Sequence, residues 1–119
     1  MNNLRYSIVY AVIRPEIIER ISVGLITIDN NNIHYRYSDA KLKALEHLYS
    51  KEEYKFVSKV IRSMNKNQKL QTIDTINYLT RYSNNFISIS EIKSIDLEAN
   101  DKNKEWLFQN YVYSKINPT

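Results

Sequence analysis

One segment of this chain carries positive side chains at a spacing that could hold an anion. They recur every three or four residues, as Lys51, Lys55, Lys59, Arg62, Lys66 and Lys69. On a helix, this spacing confines them to a face about 80° wide along about 27 Å. Like charges so placed repel one another, and most solvated faces intersperse acids. This basic stripe is therefore a candidate site for phosphate or an acidic partner, although a plain solvated face is the more ordinary explanation.

The basic stripe also sets the charge balance of the chain. The formal net charge is +4 at pH 7, and the same segment contains only two carboxylates, Glu52 and Glu53, so it carries the whole excess. The sequence has no arginine-rich run and no aromatic pattern of the kind that stacks single-stranded bases. Nucleic-acid binding is therefore kept as an alternative rather than as the first hypothesis.

Two smaller polar groups are further candidates. The first group surrounds the first proline and consists of Arg14, Glu16, Glu19 and Arg20. It is either a small polar site at the mouth of a strand or a solvated connector with surface ion pairs, and we favour the connector. The second group is His34 with Arg36, on the polar face of a predicted hairpin. It is either an anion site or a face that is simply hydrated, and we favour the hydrated face.

The sequence contains few candidate catalytic residues. A single glycine excludes the glycine-rich loops that cradle phosphates in dinucleotide-binding and P-loop proteins. Cysteine is absent, which excludes a thiol nucleophile and a thiolate metal site. The two histidines, His34 and His47, fall on different predicted elements, so they do not predict a zinc site. We predict no catalytic site, no metal site and no cofactor.

Residues 21–38 contain the clearest strand pattern, and the other elements are arranged around them. Ile33, Tyr35 and Tyr37 alternate with polar residues, as in a strand with one buried face. Residues 29–32 are typical of a tight turn. In the strand before the turn, the apolar phase slips by one residue after Gly24. The slip indicates either a β-bulge or a central strand buried on both faces, and the sequence leaves both open.

The remaining elements follow from apolar periodicity and from capping residues. A first strand is predicted over 4–13. Ser38 or Asp39 can cap a first helix, and Ser50 with Glu53 forms a capping box for a second helix. The last predicted elements are a helix at about 70–82, a strand at 86–97 and a helix that Asp101 can cap and that continues to about Lys115.

Together these elements predict an α+β fold. We expect a small antiparallel sheet of about four strands with helices largely packed on one face, in a single domain over residues 1–119. The apolar run near the N-terminus is under ten residues long, which is too short to cross a membrane, and it lacks a secretory signal pattern. Because cysteine is absent, the sequence fits a reducing compartment, and we predict a cytoplasmic protein with no membrane partner.

Two stretches of the chain resemble an uncharacterised bacterial family, a domain of unknown function. Its members begin with Tyr-x-hydrophobic-Val-Arg, then a proline, then Glu-x-hydrophobic-Asn-Val-Gly-Val. The matching residues near the start of this sequence are Tyr6, Val9, Pro15, Glu19, Val23 and Gly24. The stretch KEWLFQNYV is similar to the family's final helix and matches it at Leu107, Phe108, Tyr111 and Val112.

The sequence departs from the family pattern at two polar positions. Tyr10 stands where the family usually has Arg, and Ser22 stands where it usually has Asn. The departures leave in doubt any site that the family forms with those residues. The family has no agreed activity, and its members are often encoded beside HipA-like kinases. The resemblance therefore implies a protein partner, such as a HipA-like kinase.

The lack of catalytic motifs and the abundance of tyrosine favour a binding role. The chain has ten tyrosines, whose rings offer a large contact area with a polar tip. An uncovered edge strand would also invite pairing with another chain. We predict a non-catalytic protein-interaction or accessory module that self-associates, most simply as a two-fold homodimer. The alternatives are nucleic-acid or phosphate binding by the basic stripe, and an enzyme of unknown type.

Overall fold

The computed structural model describes residues 3–17, 19–30, 32–64, 73, 77 and 86–112. Within them lie five strands, β1 (Asn3–Arg14), β2 (Glu19–Asp29), β3 (Asn32–Tyr37), β4 (Ile87–Ile89) and β5 (Lys93–Glu98). The helices are α1 (Asp39–Ala44), α2 (Lys51–Ser63) and α3 (Asp101–Tyr111), with 3-10 turns at Pro15–Ile17 and Leu45–Leu48. Most of the predicted helix at 70–82 lies outside the described residues.

The strands form one antiparallel sheet in the order β3, β2, β1, β4, and β5 pairs with the other end of β1. The predicted hairpin is present, with Gly24 opposite Tyr37 at one end and Ile28 opposite Ile33 at the other. Asn30 turns the chain between the two strands with φ 56°, a left-handed conformation that Asn tolerates. The predicted α+β fold with an antiparallel sheet is therefore confirmed.

Side chains just before each helix bind the backbone N–H groups that the first turn leaves unpaired. Ser38 caps α1, because the Lys41 N–H donates to its Oγ at 3.2 Å. The predicted capping box starts α2, with reciprocal bonds of 3.1 and 2.9 Å between Ser50 and Glu53. The cap of α3 is Asn100 rather than the predicted Asp101, since Asn100 Oδ1 accepts the Asn103 N–H at 2.8 Å.

The phase slip in β2 is a β-bulge. Val9 pairs with Gly24, but the next residue of β1, Tyr10, pairs with Ser22, so Val23 is the extra residue. The bulge brings Val23 and Ile26 to the same hydrophobic core, although they are three positions apart in the strand. Every residue from 23 to 28 is also buried. Both interpretations of the slip are therefore correct, because β2 is a bulged strand and is covered on both faces.

Gly24 is required because the ring of Tyr35 lies directly against the bulge. A Cβ atom at position 24 would lie 2.9 Å from Tyr35 Cε1 and 3.0 Å from its hydroxyl oxygen, closer than carbon atoms pack. The hydroxyl of Tyr35 donates to the Ile61 carbonyl at 2.8 Å, near the C-terminus of α2, where carbonyls lack helical partners. Tyr35 therefore ties the hairpin to α2, and only glycine leaves room for its ring.

The predicted strand over 86–97 is two short strands, β4 and β5, because the chain departs from β1 around Ser90. The Ser90 N–H still donates to the Ile8 carbonyl at 2.9 Å. The Ile8 N–H, however, donates to the Ser90 side-chain oxygen at 2.8 Å, and the Ser7 hydroxyl donates to the Ser90 carbonyl. The two serine side chains thus replace ladder hydrogen bonds where the strand is interrupted.

Helices cover both faces of the sheet. Helices α1 and α2 pack on one face, around a core that includes Val9, Ala11, Val23, Ile26, Leu42, Val57 and Ile61. Helix α3 packs on the opposite face, around Leu4, Tyr6, Leu25, Leu107, Phe108 and Val112. The prediction of helices largely on one face thus describes α1 and α2, while α3 forms a second, smaller layer.

Two apolar residues of the helical segments, Leu48 and Phe56, are exposed. Leu48 ends the 3-10 turn and faces solvent, whereas the next residue, Tyr49, turns inward. The Tyr49 hydroxyl donates to the Val12 carbonyl at 2.7 Å, which joins this turn to β1. On α2, Phe56 lies at the margin of the apolar side and is 48% exposed, with its ring edge against Phe86.

We predict that replacing Gly24 by Ala destabilises the protein by about 1–3 kcal/mol, because the new methyl group overpacks the Tyr35 ring. Urea unfolding measures the loss. In a Tyr35→Leu background the same substitution should cost clearly less, since the ring is gone. An equal cost in both backgrounds would show that the contact with Tyr35 is not what requires glycine.

We also predict that ionisation of Tyr49 destabilises the folded state at alkaline pH. Burial, followed by the charge of Glu53, raises the pKa of Tyr49 from 10.0 to about 12. A raised pKa in the folded state means that the stabilising effect is fully present below the unfolded pKa and is lost as the pH rises from about 10 towards 12. The free energy of unfolding should therefore fall more steeply over this range in the wild type than in Tyr49→Phe. Parallel falls in urea denaturation would contradict the assignment.

Candidate functional site

Three lysines of the basic stripe form an exposed row on α2. Lys51, Lys55 and Lys59 all face solvent, on the side of the helix opposite the buried residues Val57 and Ile61. Within the described part of the chain, none of the three has an acidic partner within 4.0 Å. Lys66 and Lys69 lie outside the described residues. The row therefore consists of three ammonium groups on successive turns that no described carboxylate pairs.

Two of the charges beside this row are already held, whereas the exposed carboxylate of Glu52 has no ion pair among the described residues. Arg62 binds Asp39 of α1, with its Nη2 atom 3.1 Å from Oδ1, and its Nε donates to Ser58. The carboxylate of Glu53 accepts the Ser50 backbone N–H, and this bond, together with the Ser50 hydroxyl, lowers the pKa of Glu53. Arg62 is thus less available to a ligand than the sequence predicted, while Glu53 is held at the helix N-terminus.

The first polar group forms an open pair rather than a converging site. Arg14 faces Glu19 across β1 and β2, with 3.9 Å between Nε and Oε1, and both side chains are at least half exposed. Arg20 instead lies over the ring of Tyr10, 4.0 Å from its centre. Glu16 is exposed in the 3-10 turn. The four side chains therefore do not converge on one point, and the interpretation of this group as a solvated connector stays a prediction.

His34 and Arg36 border a groove between β3 and α3. The groove has a volume of about 380 Å³, and its lining also includes Leu25, Thr27, Asp101, Lys104, Glu105 and Phe108. Arg36 crosses it, with its guanidinium 3.9 Å from the centre of the Phe108 ring and an ion pair to Glu105. Arg36 therefore connects the edge strand to α3, a role that the sequence pattern did not indicate.

The electrostatics of this groove do not favour an anion. Hydrogen bonds from Gln109 and from Arg36 lower the pKa of Glu105, so this carboxylate stays ionised beside the guanidinium. Lys104 lies 3.8 Å from Asp29, which offsets its charge. Since the cations that line the groove have acids beside them, it can accept a small polar molecule but has no excess of positive charge.

An aromatic patch lies on the α3 side of the sheet, and no site was predicted there. Trp106 is 48% exposed and Tyr111 is 37% exposed, and their rings meet edge to face with centres 6.3 Å apart. The ring of Tyr6 on β1 stacks on Tyr111 at 5.5 Å. Tyr10 and Arg20 lie on the same face of the sheet, next to Ser22. We call these residues, Tyr6, Tyr10, Arg20, Trp106 and Tyr111, the aromatic patch.

Hydrogen bonds hold the aromatic patch in place. The Ser22 hydroxyl donates to the Tyr111 carbonyl at 2.7 Å, and Ser22 is the strand partner of Tyr10. Lys41 of α1 reaches around the sheet edge and donates to the Ser22 carbonyl at 2.9 Å and to its side-chain oxygen at 3.1 Å. Burial lowers the pKa of Lys41. Because the serine hydroxyl is directed at a carbonyl, the Ser22–Lys41 contact is a structural tie and not an activated nucleophile.

The sequence contained one signal for the aromatic patch. Trp106 lies beside the apolar stripe of α3 rather than on it, and a large ring off the buried stripe must face either solvent or a partner. The other contributions come from residues distant in sequence. Lys41 and Tyr111, for example, both contact Ser22, and no periodicity predicts this.

Among the described residues, no group of three or more His, Cys, Asp or Glu could hold a metal ion. No described helix is long and apolar enough to cross a membrane. The predictions that the chain lacks catalysis and cofactors stay predictions.

Comparison with models of known protein families, with curated proteins and with solved structures found no match. The resemblance to a domain of unknown function therefore stays a prediction. The two residues that depart from the family pattern, Tyr10 and Ser22, both make contacts within the fold. The Arg20 guanidinium lies over the ring of Tyr10, and the Ser22 hydroxyl joins β2 to α3.

We predict that the Arg36–Glu105 pair stabilises the packing of α3 more than an ordinary surface pair does. A double-mutant cycle with Arg36→Gln and Glu105→Gln should give a favourable coupling energy in urea unfolding that is clearly larger than that of a poorly aligned exposed pair. The matched control is the cycle for Arg14 and Glu19, which are 3.9 Å apart and should couple by about 0–0.3 kcal/mol.

In addition, Arg36→Lys should lose the stacking on Phe108 while it keeps the charge. Equal coupling energies in the two cycles would contradict the prediction that the Arg36–Glu105 pair stabilises the packing of α3 against β3.

Proposed function

We propose that this chain is a small non-catalytic protein-interaction module that binds a partner protein through the aromatic patch. The observation that carries the proposal is the exposure of Trp106 and Tyr111 in one contiguous cluster. Tryptophan, tyrosine and arginine are the residue types that most often dominate binding energy at protein interfaces. The patch contains all three types, with Arg20 beside the tyrosines.

The patch is also rigid before binding. Tyr111 is stacked on Tyr6 and its carbonyl is bound by Ser22, while the following residue, Val112, is buried. Side chains that are already held in place lose little conformational entropy when a partner covers them. Preorganised aromatic rings can therefore contribute most of their buried area to affinity.

Two partners are consistent with this surface. The family resemblance implies a HipA-like kinase, and the predicted self-association implies a second copy of the chain. In a two-fold dimer, the same patch would contact itself across the symmetry axis. A kinase partner would instead present an apolar pocket for Trp106, with acidic groups for Arg20.

The sole tryptophan of the chain makes the proposal directly testable, because Trp106 reports on its own surroundings. In the free monomer its emission should be that of a hydrated indole and should be quenched readily by acrylamide. When a partner covers the patch, the emission should shift to shorter wavelength and quenching should fall. The two partners are separated by raising the concentration of the chain alone, with sedimentation in parallel, and by titrating the purified kinase.

We predict that Trp106→Gln weakens binding of the partner about 30-fold, which corresponds to about 2 kcal/mol for a central aromatic residue. The matched control is Phe56→Gln, because Phe56 is also 48% exposed on a helix but lies on the opposite side of the sheet. The control should bind like the wild type.

Helical circular dichroism confirms that both variants are folded. If both variants bind equally well, or if Trp106 stays freely quenchable in the complex, the aromatic patch is not the interface and the proposal fails.

A further inference from the structure

The lysine row on α2 lies on the side of the sheet opposite the aromatic patch, and among the described residues it has no acidic partner within 4.0 Å. We infer that Lys51, Lys55 and Lys59 bind the phosphate backbone of a double-stranded nucleic acid. This activity goes beyond the proposed protein interaction and uses none of its residues. The three ammonium groups project from one rigid helix, whose start is fixed by the capping box at Ser50.

The charge of the row is not neutralised within the described part of the chain. The carboxylate of Glu53 is committed to the backbone of Ser50, and Asp39 is committed to Arg62. The three lysines have no carboxylate within 4.0 Å among the described residues. Like charges on successive turns repel, which slightly destabilises the helix, and a polyanion that lies along them removes this cost.

Because the row consists of lysines, a nucleic acid is favoured over an acidic protein as its ligand. Lysine is depleted at protein–protein interfaces, whereas its compact ammonium group is a common ligand of phosphate. The row is also evenly spaced, with a rise of about 6 Å between successive lysines and about 12 Å overall. A duplex presents one phosphate per about 3.4 Å of axis on each strand, so the row lies along about three or four phosphates.

Among the described residues, the groups beside the lysines do not supply a base-reading element. The Ser58 hydroxyl accepts a bond from Arg62, and the Ser63 hydroxyl donates to the Lys59 carbonyl. Bases are read mainly by free arginine and by the amides of Asn and Gln, whereas contacts to phosphate position a protein without selecting a sequence. The binding inferred here is therefore independent of sequence and is strongly weakened by salt.

Fluorescence anisotropy with labelled 20-base-pair DNA and RNA duplexes tests the inference. Three phosphate contacts give a slope of about −2.7 for log affinity against log salt, or about a 40-fold loss between 50 and 200 mM. Replacing Lys55 and Lys59 by Gln should reduce the slope to about −0.9. Gln forms helices about as well as Lys, so α2 should stay folded.

The matched control is the double variant Lys93→Gln and Lys102→Gln, which removes the same charge from exposed positions outside α2. It should keep the wild-type slope, and Trp106 emission should not change when the duplex binds. If DNA and RNA bind alike, the ligand is the shared backbone, and a preference for one identifies the natural duplex.

Two results would overturn the inference. In one, the two double variants lose equal affinity for the duplex, which would mean that binding depends on the net charge of the protein and not on the lysine row. In the other, polyglutamate binds to the row while neither duplex binds at 20 mM salt, which would mean that the partner is an acidic protein. Neither result affects the aromatic patch, because Trp106→Gln is read out with a different ligand.

Discussion

The fold depends on the contact between the Tyr35 ring and the bulge in β2. The bulge changes the phase of the strand, so that Val23 and Ile26 enter one core while Leu25 enters the other. Glycine at position 24 makes room for the ring, and the Tyr35 hydroxyl then binds the C-terminal end of α2. Without the phase change, the apolar residues of β2 would be distributed wrongly between the two faces.

Because β2 is buried on both faces, each face of the sheet carries its own helical layer and its own kind of surface. The layer of α1 and α2 exposes lysines, and the layer of α3 exposes aromatic rings. Lys41 joins the two layers by reaching from α1 to Ser22, which in turn binds the Tyr111 carbonyl. The two layers are thus connected by a short chain of hydrogen bonds, whereas the lysine row and the aromatic patch do not share a residue.

The charged residues illustrate why a sequence pattern overestimates the number of charges that are available to a ligand. Six cations follow a helical period in the sequence, yet Arg62 is paired with Asp39, which lies far before it in the chain. The same holds for Arg36, whose partners Glu105 and Phe108 come from the last helix. Electrostatics depends on distances in space, so the charges available to a ligand are those that tertiary packing leaves unpaired.

Local interactions in the sequence determined the elements, and tertiary packing decided how they combine. The hairpin, the capping box at Ser50 and the slip after Gly24 could all be predicted, because turns, caps and alternation involve residues close in sequence. The position of α3 on the second face, the interruption at Ser90 and the contacts of Ser22 with Tyr111 and Lys41 could not be predicted. Each of these depends on which distant surface an element meets, and amphipathic periodicity shows that a face is buried without showing against what.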